Sequence, residues 1–234
     1  MKQKPSLSDF STLKYTFIFW TLGSLLIILS IKYYILSWLF LWSSISFILV
    51  GIAYAGLGAK IFGKKANGKI SKLSLVILLP YLLLTWITWH LQRWLSTEDC
   101  CNEITPGIWL GRRAFLKELP ENIDLIVDLT AEFSEPSHVI IGKTYICIPT
   151  LDTSAPQETV FKELIQKILV WDGNVYIHCA LGHGRSATVA AGVLLAKGIV
   201  NDFHQAEKVL LTIRPRIKFS QVQKKLLKKM SRVL

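Results

Sequence analysis

The chain changes its hydrophobic rhythm near residue 95. Before that point apolar residues come in long blocks: residues 15–58, uncharged except for Lys32, and residues 73–95, broken by Pro80. A membrane span takes about 20 residues, so the first block has room for two, with a turn at Lys32-Tyr33-Tyr34. The second makes a third, ending in Trp86, Trp89 and Trp94, a residue type that gathers at the headgroup level. None of these segments has the polar face of a helix lying on a soluble core.

After residue 95 the pattern alternates. Short runs rich in β-formers at 108–110, 123–129, 145–148 and 175–177 predict strands. Between them, Val160, Phe161, Leu164, Ile165, Ile168 and Leu169 fall on one side of a helix over 157–171. Another helix follows over 187–197 and stops at Gly198. Asp202 with Gln205 opens a third, broken by Pro215, and Ser220 with Gln223 forms a capping box for the last. The fold class is α/β: N-terminal transmembrane helices, then a domain with a central sheet flanked by helices. The expected boundaries are a cytoplasmic-type polar N-terminus at 1–14, a membrane region of two to three transmembrane helices at 15–95, a linker at 96–102 and a catalytic domain at 103–234.

Charge sharpens this division. The 234 residues carry a formal net charge of +11, and all but a small part lies before residue 96, where there are ten Lys/Arg and one acid. Read by segment, that excess is the positive flank of membrane spans rather than a nucleic-acid surface, and no nucleic-acid-binding module accompanies it. The positive-inside bias puts the N-terminus and the 60–72 loop in the cytoplasm. Three full spans then leave the catalytic half outside, whereas a re-entrant third segment keeps it inside, where a reduced thiol is easier to maintain. The expected location is an integral, multi-pass membrane protein with the side of the catalytic domain open. The last helix carries Lys224, Lys225, Lys228, Lys229 and Arg232 without an acid, which reads equally as a solvated face and as a contact for anionic headgroups.

Candidate chemistry gathers in one stretch, His178-Cys179-Ala180-Leu181-Gly182-His183-Gly184-Arg185-Ser186, between a predicted strand and a predicted helix. Glycines let backbone N–H groups converge on an anion, and the helix offers its positive end to the same place. A cysteine there is favoured as thiolate, the form that attacks phosphorus. Arg185 supplies a planar fork matched to two phosphoryl oxygens. Ser186 can donate to the sulfur when it leaves, and His178 either orients the thiol or is a framework residue. Protonating the leaving group requires a carboxylate on a nearby loop. Asp152, within 149–156, is the first candidate and Asp128 the second; Asp172 belongs to an Asp-Gly turn. Cys100 and Cys101 read as surface thiols. Cys147 reads as a small core residue, or less readily as a resolving thiol for an oxidised Cys179.

The run from His178-Cys179 through Arg185-Ser186 resembles the signature of the cysteine-dependent phosphatases. Residues 103–227 are similar to their dual-specificity family, through Ile104 to Gly111, Ile126-Val127-Asp128-Leu129-Thr130 and the 149–156 loop. The resemblance implies a phosphomonoester hydrolase working through a cysteinyl-phosphate, with neither metal nor other cofactor. It assigns Cys179 as nucleophile, Arg185 as phosphate clamp, Asp152 as general acid and Ser186 as leaving-group helper. The backbone of Ala180, Leu181, Gly182, His183, Gly184 and Arg185 forms the phosphate cradle. The expected substrate is a phosphorylated protein, with phosphotyrosine first. The alternatives are a phospholipid, phosphatidylglycerophosphate or a phosphoinositide, and, behind both, a pseudophosphatase that only binds phosphorylated partners. Ala180, Leu181 and His183 bring no fixed positive charge to the loop, which argues against polyanionic headgroups.

Overall fold

A computed structural model describes residues 7–231, with side chains from Leu13 onward. Lys2, Lys4 and Arg232 lie outside the described residues. The chain divides into two units: Met1–Lys65, Lys69–Leu95 and Ala131–Ser134 form one, and Ala66–Gly68, Ser96–Thr130 and Glu135–Leu234 the other.

The first unit holds three long helices, α1 (Leu7–Lys32), α2 (Ser37–Ile52) and α3 (Lys72–Leu95). α1 starts inside the segment expected to be a polar N-terminus. The chain turns between α1 and α2 at Tyr33, as Lys32-Tyr33-Tyr34 predicts. α1 and α2 pack where Gly23 faces Ser44 and Ile48, and Ser44 Oγ donates to the Gly23 carbonyl at 2.8 Å. Phe19, Phe47, Tyr54 and Tyr81 form an aromatic cluster among these helices. Pro80 does not interrupt α3: the helix runs through it, and the next N–H, of Tyr81, donates to Ser46 Oγ at 3.2 Å. Phe17, Ile28, Ile31, Trp38, Leu73 and Trp94 are exposed. Over Leu13–Lys32, Tyr34–Phe62 and Lys72–Leu95 the helices are long and apolar enough to cross a membrane. One expectation needs correcting. Trp86 and Trp94 are exposed, but Trp89 is buried and packs on Phe133 of the same unit at 5.6 Å between ring centroids.

The second unit is built on five strands: β1 (Cys101–Thr105), β2 (Ile108–Arg112), β3 (Ile123–Thr130), β4 (Thr144–Thr150) and β5 (Asn174–Cys179). Their order is β1-β2-β5-β3-β4, with β1 antiparallel and the rest parallel. Alternation along each strand sorts side chains to two faces. Leu125, Val127, Leu129, Val175, Ile177 and Cys179 face the main core, while Ile126 and Tyr176 face a smaller one with Cys100, Cys101 and Tyr145. Helices α5 (Glu158–Leu169), α6 (Arg185–Ala196), α7 (Phe203–Ile213) and α8 (Gln221–Met230) supply the main core, and a short α4 (Ser137–Ile140) puts Val139 into the smaller one. α6 packs on β5 with α5, α7 and α8 around it, and every residue from Arg185 to Leu195 is buried. Asp202 caps α7 by accepting from Gln205 N, and Ser220 and Gln223 make the reciprocal box on α8. Residues 96–102, expected as a linker, are built into this unit through β1 and the contacts of Glu98 described below.

Candidate active site

The central strand, β5, ends at Cys179, and α6 begins six residues later at Arg185. The loop between them is held from outside through its carbonyls. Ala180 O accepts from Arg113 N at 3.2 Å, His183 O from Lys218 N at 3.0 Å, and Gly184 O from Thr188 N at 2.8 Å. Gly182 lies at φ +81°, and a Cβ there would come within 2.6 Å of the Gly111 carbonyl carbon. Only glycine satisfies both the conformation and the approach to β2.

On the inner side, Gly182 N–H donates to Cys179 Sγ at 3.3 Å and Ser186 Oγ lies 3.2 Å from the same sulfur. The Arg185 guanidinium is buried; its Nη1 donates to the carbonyls of Thr150 (2.9 Å) and Leu129 (3.4 Å), where β4 and β3 end. Its Nη2 lies 3.4 Å from Asp152 Oδ1, on a side chain that is 69% exposed. Thus Cys179, Arg185, Ser186 and Asp152, picked from the sequence, meet at one end of the sheet. Asp152 and Thr153 are the central residues of a turn in which Ser154 N donates to Leu151 O at 3.1 Å.

Asp128, the second candidate acid, does not meet them. It is fully buried on the other sheet face, where its Oδ1 accepts from Thr130 N and Oγ1, both at 2.7 Å, and its Oδ2 from the Tyr145 hydroxyl at 2.6 Å. Burial, then the Asp128 charge, pushes the Tyr145 hydroxyl well above its usual range, so it stays a donor. His178 sits on that face too, with Nε2 4.0 Å from Asp128 Oδ1. Strand alternation therefore gives His178 a framework role and removes it from direct chemistry. Donor atoms of Asp128, Glu135 and His178 lie within 4.8 Å of one another, a spacing a metal ion could use. Protein donors already occupy Asp128, and Arg113 Nε occupies Glu135 at 3.0 Å, so the cluster reads as a packing network.

Two features escaped the sequence reading. His183 Nε2 lies 2.6 Å from Glu98 Oε2, which is also 3.7 Å from Arg214 Nη2. Burial pushes the His183 pKa below its ordinary value, helped by Arg214 and Arg216, and outweighs the upward pull of Glu98. The neutral ring donates to the carboxylate. Gln223 Nε2 donates to Ser154 O at 2.9 Å, tying α8 to the turn that carries Asp152. Neither partner is near in sequence, so no local pattern announces them. The lysines of α8 are partly engaged: Lys224 pairs with Glu207 at 3.2 Å, and Lys229 pairs with Glu158.

Residues 112–199 match a protein family described as Tc-R-P: Polymorphic toxin system, DSP-PTPase phosphatase. No curated protein matches the chain. Among solved structures, Tk-PTP in its active form is similar at 23% identity and a TM-score of 0.52, over 58% of this chain and 98% of that one. PTPMT1 in complex with PI(5)P is similar at 21% identity and a TM-score of 0.50, over 58% and 96%. Human DUSP28 is similar at 16% identity and a TM-score of 0.52, over 59% and 97%. At these identities the likeness is one of fold, and it spans nearly the whole of each of those chains.

Proposed function

We propose that the dual-specificity-phosphatase domain carried by this chain hydrolyses phosphomonoesters through a covalent bond to Cys179. The observation that carries this reading is the meeting of Cys179, Ser186, Arg185 and Asp152 at one strand end. The Cys179 thiolate attacks phosphorus, the bond to the leaving oxygen breaks, and Asp152 gives that oxygen its proton. Arg185 and the loop amides hold the phosphoryl oxygens as charge shifts among them. Water then attacks the phosphocysteine while Asp152 takes its proton. The S–P bond breaks with the Ser186 hydroxyl donating to the departing sulfur, and inorganic phosphate is released.

The substrate we favour is a phosphorylated protein, phosphotyrosine first. Support comes from three basic side chains beside the loop that are engaged with carboxylates. Arg112 Nη2 lies 3.4 Å from Glu118, Arg113 pairs with Glu135, and His183 is held neutral against Glu98. Side chains engaged in this way suit a single phosphomonoester better than a polyphosphorylated headgroup. A lipid phosphomonoester is the second reading, favoured by the three helices long enough to cross a membrane and by the likeness to PTPMT1, which was crystallised with PI(5)P. Those helices would make the chain a multi-pass membrane protein that keeps its catalytic unit beside a bilayer.

The test is turnover by the full chain, in detergent, of a phosphotyrosyl peptide, a phosphoseryl peptide, phosphatidylglycerophosphate and a phosphoinositide. Preference for the tyrosyl peptide is expected, and preference for either lipid reverses the ranking. Cys179→Ser should abolish turnover of all four while vanadate still binds. Turnover retained by that variant removes the covalent mechanism.

A further inference from the structure

Gln223 stands in the first turn of α8, only 1% exposed, and the two ends of its amide have different jobs. The Oε1 end accepts from Ser220 N at 2.9 Å, while Ser220 Oγ accepts from Gln223 N at 3.2 Å. Those two bonds complete the capping box and need nothing from the Nε2 end. Nε2 instead crosses to the carbonyl of Ser154, 69 residues away in sequence. The same amide borders the phosphate loop, since a Cβ added at Gly184 would lie 3.5 Å from Nε2.

Ser154 closes the turn that presents Asp152, and this turn does not hold its shape unaided. Thr153, its third residue, sits at φ +61°, in the left-handed region that β-branched residues seldom occupy. The Asp152 side chain is largely exposed, and its Oδ1 approaches Arg185 of the phosphate loop at 3.4 Å. A turn under backbone strain, carrying an exposed acid, is pinned at its closing carbonyl by one buried amide from α8.

We infer that Gln223 is a positioning residue for proton transfer: its Nε2–H fixes the Leu151–Ser154 turn against the phosphate loop, so that Asp152 stands at the leaving-group oxygen. The inference rests on the reading of Asp152 as general acid. On this reading Gln223 acts through the turn and not on the reacting atoms. Its loss therefore acts where Asp152 transfers a proton, to the leaving group in the first step and from water in the second.

Gln223→Glu separates the two jobs. A glutamate keeps an acceptor for the Ser220 N–H, so the cap survives, but it turns the donor facing Ser154 O into a second acceptor. With the full chain in detergent, kcat/KM, which ends at formation of the phosphocysteine, should fall roughly 10- to 100-fold on an alkyl phosphate, and on p-nitrophenyl phosphate, whose leaving group needs little protonation, less than about threefold. Tungstate affinity should not move. Adding the substitution to Asp152→Ala should produce no further loss on the alkyl ester. Gln223→Met, uncharged and of similar length, should give the same split if the buried carboxylate impairs folding. Ser220→Ala, which breaks the cap and leaves the clamp, should lower thermal stability without changing leaving-group dependence. An equal loss on both substrates, or a loss that persists in the Asp152→Ala background, overturns the role of Gln223. If Asp152→Ala itself shows no leaving-group dependence, the acid assignment fails first, and this inference with it.

Discussion

Cys179 Sγ and Ser186 Oγ face each other at 3.2 Å across the phosphate loop, both buried. Seven residues apart in sequence, they stand at the end of β5 and in the first turn of α6, so the strand-to-helix turn sets their distance. Buried beside the nucleophile, a serine hydroxyl is worth most when the sulfur carries charge.

Ser186→Ala should therefore slow breakdown of the phosphocysteine more than its formation. Rapid-quench kinetics should show a burst of alcohol release, then a steady state slower by roughly 10- to 100-fold, the loss of one hydrogen bond to a charged group. Loss of the burst together with the steady state would place Ser186 in the first step instead.

The two aspartates should separate cleanly. Asp152→Ala should leave stability within about 0.5 kcal/mol, because its side chain is exposed, and should slow alkyl esters far more than aryl esters. Asp128→Ala should strand Thr130 N, Thr130 Oγ1 and the Tyr145 hydroxyl in a buried site, and should cost about 3 kcal/mol in denaturant unfolding. A leaving-group effect at Asp128 would exchange their roles.

Gly182→Ala should damage the cradle itself. The added methyl meets the Gly111 and Arg112 backbone at 2.6–2.8 Å while the residue is held at φ +81°. Tungstate binding measured by calorimetry should weaken by roughly 100-fold or more, in line with displacement of several amides by an ångström. Unchanged binding would mean that the loop has another shape.

His183 gives a pH signature. Its folded pKa lies below its unfolded value because burial disfavours the charged ring. The unfolded chain then binds more protons as pH falls below the ordinary histidine value of about 6.5, and stability is lost through that window. His183→Gln, which keeps a donor for Glu98, should flatten the part of the melting-temperature curve between about pH 7 and pH 5.5. An unaltered slope would assign the window to another group.

The catalytic frame was legible because its signals are local. The alternating runs marked β2 to β5, Gly198 and Asp202 marked helix ends, and Cys179 with Arg185 marked the loop. β1 was missed because Cys101–Thr105 is a short edge strand with Asn102 and Glu103 breaking the β pattern. α4, at four residues, is too short for any period to show. The contacts of Glu98 with His183 and of Gln223 with Ser154 were invisible because folding alone makes them neighbours. The placement of His178 was there to be found: residues adjacent in a strand point to opposite faces, so a histidine next to the nucleophile lies behind the sheet.

The same alternation decides the fate of the thiols. Cys100 and Cys101 pack with the smaller core, and Cys147 pairs across from Asp128 on β4, so all three lie behind the sheet from Cys179. Cys147 and Cys179 are also two strands apart, about 9–10 Å and beyond disulfide reach. Cys147 is not a resolving thiol. A sulfenic acid formed at Cys179 meets no second thiol of its own chain, and further peroxide drives it to acids that ordinary thiols do not reduce. With no resolving thiol among the described residues, the return of an oxidised Cys179 to thiol draws on reductant supplied from the surroundings.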